Sequence, residues 1–134
     1  MGLDMFLFKA KKEEIEGIDK YKLWEKEIEE VGYWRKANYI HLWFVNNVQG
    51  KVDDCGLYQV SQQNLEELKV LCEEVLKNNK KAEKLLPTKS GFFFGSTEYD
   101  EYYFQAIKNT FDILSSVIAT TDFINETILY GSSW

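Results

Sequence analysis

The chain has 134 residues, which suits one domain around one core, and its 45% apolar and 28% charged residues are ordinary for a globular protein. A net charge of −6 argues against nonspecific nucleic-acid binding, which needs an extended basic surface, and leaves room only for a small local basic patch. No apolar run approaches the roughly 18–20 residues of a membrane span, and the opening MGLDMFLFKAKK lacks a signal-peptide layout.

Leu3 to Lys9 reads as a strand apolar on both faces, hence central in a sheet. A charged connection of lysines and glutamates follows, ending near Gly17. Leu23 to Tyr33 reads as a second strand, half exposed, with Trp24 and Ile28 on one side and Glu25, Glu27 and Glu29 on the other. WEKEIEE suits a helix equally well, so the first half of that stretch has two readings. Residues 34–48 then carry a helical period: at 100° per residue Trp34, Ala37, His41, Phe44, Val45 and Val48 share one face. Leu42 and Trp43 point elsewhere, which predicts a helix covered on more than one side. GKVDDCG is a loop, 57–60 a short extended piece, and Ser61 the cap of a helix over 62–78. Leu65, Leu68, Cys72, Val75 and Leu76 form its stripe, placing Cys72 in the core.

Pro87 ends the polar stretch that follows and leads into SGFFFGSTEYDEYYF. Gly91 and Gly95 bracket Phe92, Phe93 and Phe94, and glycine permits sharp turns at both positions. Thr97 with Asp100 three residues on resembles a capping box, and Glu98, Asp100 and Glu101 complement the helix dipole. Phe104, Ile107, Phe111, Leu114 and Ile118 complete a helix over 98–119. Residues 125–130 (NETILY) form a terminal strand, and Trp134 marks a docked tail. The fold class is α+β in a single domain, 1–134. A small, mainly antiparallel sheet (strands near 3–9, 23–33, 57–60 and 125–130) carries helices near 34–48, 62–78 and 98–119 packed mainly on one face.

Chemistry-bearing residues are few. His41 is the one histidine; as a base it would need a carboxylate, for which Asp53, Asp54 or Glu98 could serve, and as a core residue it would need only a carbonyl or tyrosine. No paired metal ligands at close fixed spacing and no cofactor motif occur, so neither metal nor cofactor is expected. Cys55 and Cys72, without a CxxC pattern, fit free thiols in a reducing compartment. Arg35 and Lys36 lie among Tyr33, Trp34 and Tyr39, a pattern that can hold phosphate while a ring stacks on a base; a solvated helix face accounts for them equally well. Gly95, Ser96 and Thr97 at a helix start form a possible anion-holding turn, though capping alone explains those residue types.

Taken together, MGLDMFLF, EEVGYWRKANYIHLWFVNNVQ, VDDCG, LLPTKSGFFFGSTEYDEYYF and YGSSW resemble a family of small proteins of phage and prophage genomes. The resemblance spans nearly the whole chain except about 10–25, where this sequence is short. It implies a setting, an accessory protein in the cytoplasm of a bacterial host, and carries no catalytic residue with it.

Three functions are therefore open. The first is a non-enzymatic binder that sequesters a nucleotide-like ligand, with Arg35, Lys36 and Gly95–Thr97 on phosphate and Trp34, Trp43, Tyr99 or Tyr103 on a base, His41 lying nearby. The second is an acidic inhibitor of a host protein, steered by its charge. The third is a small hydrolase using His41 and a carboxylate. The aromatic excess is also compatible with a homodimer.

Overall fold

Strands from opposite ends of the chain lie side by side at the centre of the sheet. In the computed structural model, which describes residues 2–91 and 94–134, β1 (Asp4–Lys11) pairs with β4 (Glu126–Ser133) along its whole length, from Asp4 opposite Ser133 to Lys11 opposite Glu126. β2 (Glu29–Arg35) flanks β1 and β3 (Tyr58–Val60) flanks β4, giving the order β2-β1-β4-β3 with every neighbouring pair antiparallel. The central place of β1 follows from its two apolar faces. Met5 and Leu7 enter the main core, while Phe8 and Ala10 face the other way.

The main face carries α2 (Asn38–Asn47), α3 (Gln62–Lys77) and α5 (Glu101–Thr120). Fully buried Leu3, Met5, Leu7, Ile40, Phe44, Leu65, Ile107 and Tyr130 sit between sheet and helices. Each such side chain contributes about 1.5–3 kcal/mol of burial free energy. α5 crosses β2 where Gly32 leaves room: a Cβ there would stand 2.9 Å from Ile113 Cγ2. α2 is buried on nearly all sides, Trp43 included, as its two-sided pattern predicts. α3 is capped by Ser61, whose hydroxyl takes the Asn64 N–H while the Asn64 side chain reciprocates. The short α4 (Ala82–Leu85) turns the chain toward Pro87.

The opposite face is covered only in part. α1 (Lys12–Ile15) and a 3-10 turn over Lys22–Glu25 bring Ile15, Ile18, Leu23 and Trp24 onto Ala10, Leu57 and Leu129. The strand expected over 23–33 therefore begins as this turn, and its ladder starts only at Glu29. It then runs on through Trp34 and Arg35, residues that the helical period had claimed. Lys36, at φ 58, breaks the chain direction, so the helix starts at Asn38 rather than Trp34. Val31 has no partner between Leu7–Gly32 and Phe8–Glu30, a one-residue bulge in the edge strand. The helix expected from 98 starts at Glu101, because Asp100, not Thr97, caps it by accepting the Tyr103 N–H at 3.1 Å. Gly131 to Ser133, expected as a tail, continue β4.

Candidate functional site

Two polar assemblies meet at the VDDCG turn. The first lies inside. His41 is 1% exposed on α2, with Nδ1 2.6 Å from the Tyr130 hydroxyl and Nε2 2.8 Å from Asp53 Oδ1. A carboxylate only accepts, so Nε2 carries the proton toward Asp53 and Nδ1 accepts from Tyr130 in the neutral ring. Burial pushes the imidazole pKa below its ordinary value, against the pull of Asp53 in the other direction. Tyr130 is fully buried, stacked on Phe44 at 3.8 Å, and its phenol is pushed well above the ordinary range by desolvation. Phe94 closes the other side of the ring edge-on. Both imidazole nitrogens are engaged, and neither faces a cleft.

Over this interior lies the loop after α4, held by one side chain. Asn38 donates to the carbonyls of Phe94 and Ser96 and accepts from the Lys89 N–H at 2.8 Å, so it holds both limbs at once. Thr88 Oγ1 donates to the Thr97 carbonyl, and the Tyr99 hydroxyl takes the Thr88 N–H. Phe92 and Phe93, read from the sequence as part of an aromatic anchor, lie outside the described residues. Gly95, at φ 87, packs on Lys36, whose Cβ would stand 2.8 Å from a Cβ added there. Only glycine suits both the dihedral and the space.

The second assembly is open. Side chains alternate across a sheet, so the row Arg35–Asp4–Ser133 and the row Tyr33–Phe6–Gly131 share the half-covered face. There Phe6 stacks on Phe8 at 5.7 Å, Trp24 stands edge-on to both, and Tyr33 tilts against Phe6 at 5.3 Å. A cleft of about 410 Å³ opens between Phe6, Trp24, Cys55, Ser132 and Ser133. Ser132, opposite Met5, turns its side chain to the main core, where its hydroxyl is buried without a partner among the described residues. Gly131 makes the floor shallow enough for Trp24, since a Cβ there would press on its ring and on Leu57.

One wall of this cleft is fixed by Asp54. The Trp24 indole N–H donates to the Cys55 carbonyl at 2.6 Å, and Lys20 donates to Asp54 at 2.8 Å and to the Tyr58 hydroxyl at 2.6 Å. Burial alone would raise the Asp54 pKa, but hydrogen bonds from Lys20, the Gly56 N–H, Tyr58 and Tyr21 outweigh it and hold the carboxyl well below its usual range. Beyond Ser133 on the same face lie Asp4 and then Arg35. Arg35 is the chain's one arginine, is exposed, and enters no ion pair among the described residues. Asp4, between it and Ser133, accepts from the Tyr33 hydroxyl.

The residues singled out from the sequence thus fall into separate places. Trp34 is buried, its indole N–H on Thr110 Oγ1 at 2.8 Å, and Tyr103 is 1% exposed with its hydroxyl on the Leu86 carbonyl. Trp43 is nearly buried between α2 and α3, and Tyr99 stays partly exposed above Tyr103. Lys36 does meet Gly95, and Ser96 and Thr97 are exposed in the same loop. Arg35 stands apart from them, on the cleft face. The aromatic members that accompany it, Phe6 and Trp24, were not singled out as site residues. The alternation of Phe6 and Phe8 along β1 was the available signal.

Among the described residues, no three His, Cys, Asp or Glu side chains gather as metal ligands would, and no helix is long and apolar enough to cross a membrane. No protein-family model, curated protein or solved structure matches the chain.

Proposed function

We propose that this protein is a binder of a small nucleotide-like ligand, held on the half-covered face of the sheet. The observation that carries this reading is an exposed arginine, unpaired among the described residues, on the same sheet face as an aromatic cleft in an acidic protein. A planar base would lie against Phe6 and Trp24, where stacking is worth about 1–3 kcal/mol per base. Arg35 and Ser133 sit two strands apart, about 10 Å at the usual spacing, which is the reach from a base to its phosphate. Asp4 between them is placed to accept from sugar hydroxyls. The volume of about 410 Å³ falls in the range of small-ligand sites.

Binding rather than turnover is the favoured reading because the best acid–base group, His41, has both nitrogens occupied in the interior. The resemblance to phage and prophage proteins supplies a setting in which such a binder would sequester a host signalling nucleotide. Nuclear magnetic resonance titration with AMP, GMP and their cyclic forms tests it. Saturable shifts of the Trp24 indole N–H are expected, weakened ten- to a hundredfold by Arg35→Ala, the loss of a charge-assisted hydrogen bond of about 1.5–3 kcal/mol. No shift at Trp24 with any of these ligands at millimolar concentration would overturn it.

A further inference from the structure

A second surface, remote from the cleft, has a different character. Between α2 and α3 runs an open groove of about 540 Å³ whose apolar residues are Trp43, Val70 and Leu71. Val70 is 53% exposed, an apolar side chain in water on a helix that otherwise buries its stripe at Leu65, Leu68, Cys72 and Val75. Glu66 and Glu67 stand on the rim, at the i, i+3 and i+4 spacing that puts them beside Val70 and Leu71 on one helix face. Among the described residues no cation lines the groove. The two lysines of α3 are engaged elsewhere, Lys69 over the Phe111 ring at 5.5 Å and Lys77 with Glu73 at 2.9 Å. Beyond Trp43 the groove continues into a smaller recess beside Leu42, Leu85 and Pro87.

We infer that this groove docks a basic amphipathic helix of a partner protein. An apolar trough between two helices is the kind of surface that takes a third, with anchors at i, i+3 and i+4 seated on Trp43, Leu71 and Val70. The uncompensated glutamates on its rim select lysines or arginines flanking those anchors and repel an acidic helix, so charge supplies both rate and specificity. The net charge of −6 steers the same class of partner from a distance.

Fluorescence anisotropy with a labelled 16-residue leucine–lysine helix tests this, alongside a control peptide in which every lysine is glutamate. The basic peptide is expected to bind saturably, with amide shifts confined to α2, α3 and residues 85–87, and the acidic control to stay free. Glu66→Lys with Glu67→Lys should weaken binding at least tenfold, and Val70→Asp should do likewise. All three altered positions are exposed, so the fold is kept. Equal binding by the charge-reversed variant, or shifts centred on the glutamates of residues 13–30, would reduce the effect to unspecific attraction and overturn the inference. Self-association in sedimentation equilibrium that Val70→Asp abolishes would overturn it in favour of a second copy of this chain.

Discussion

Adjacent carboxylates in one turn serve opposite ends of the polar scale. Asp53 reaches inward to a histidine that is sealed from water, while Asp54 reaches outward to Lys20 and braces the wall of an open cleft. In the interior assembly every strong polar group is matched: both His41 nitrogens, the Tyr130 hydroxyl, and the donors and acceptor of Asn38. On the cleft face, Arg35 is exposed and enters no ion pair among the described residues. A satisfied buried network specifies a structure; unmatched groups beside an aromatic cleft are where a ligand gains most. The contrast is between a histidine held by a carboxylate and a phenol inside the fold and groups left open on the sheet's other face.

The largest effects should come from breaking the closed assembly. His41→Ala leaves a cavity between Phe94 and Tyr130 and strands a fully buried hydroxyl, so urea denaturation should show a loss of about 3–5 kcal/mol, the range of ring deletions in cores. Asn38→Ala should cost about 1–3 kcal/mol, less because the loop carbonyls it frees lie near water. Its distinguishing mark is local: amide exchange should quicken across residues 88–97 while β1 and β4 stay protected. Uniform loss of protection would instead place Asn38 in the global core.

Much of this architecture was legible from pattern alone. The double apolar face of LDMFLFK required a central strand, Ser61 announced α3, and the 3.6 period gave α5 within three residues at its start. What failed did so where tertiary packing overrode local period. Trp34 fits a helical face with His41 and Val45, yet it also alternates correctly with Gly32 in a strand, and only the left-handed turn at Lys36 decides between them. The cleft was half legible. Arg35 stood out by its aromatic neighbours in sequence, but the rings that share its face come from β1 and the Lys22–Glu25 turn, brought there by strand register and by the fold of residues 12–28. Asn38 gave no signal, since a buried amide that ties two distant loop limbs has no local spacing.

Acid titration separates the two assemblies by pH. His41 has a folded pKa below its ordinary 6.5, so the unfolded chain binds more protons between the two values. Stability should therefore be full above about pH 6.5 and fall as pH drops below it, levelling off once the folded state also protonates. Asp54 has the depressed pKa of a paired carboxylate, so its contribution is present above the ordinary 3.8 and is lost only at more acid pH. Urea midpoints measured across this range should show the upper step vanish in a His41→Gln background and the lower step shrink in Lys20→Met. A single unbroken acid transition in all three proteins would mean that the two assemblies do not titrate apart.

The smallest expected stability change is the most telling. Arg35 is exposed, lies at the end of an edge strand and enters no ion pair among the described residues, so Arg35→Ala should leave stability within about 0.5 kcal/mol. If the cleft is a site, the same substitution should abolish most nucleotide binding, while Trp24→Phe should lower both. Trp24→Phe removes the indole donor to the Cys55 carbonyl and part of the cleft wall together, about 1 kcal/mol of stability with the wall. A residue kept for structure moves stability and binding in parallel; a residue kept for a ligand moves binding alone. Parallel losses at Arg35 would assign it to the fold, through its cross-strand neighbour Asp4, and remove the cationic end from the proposed site.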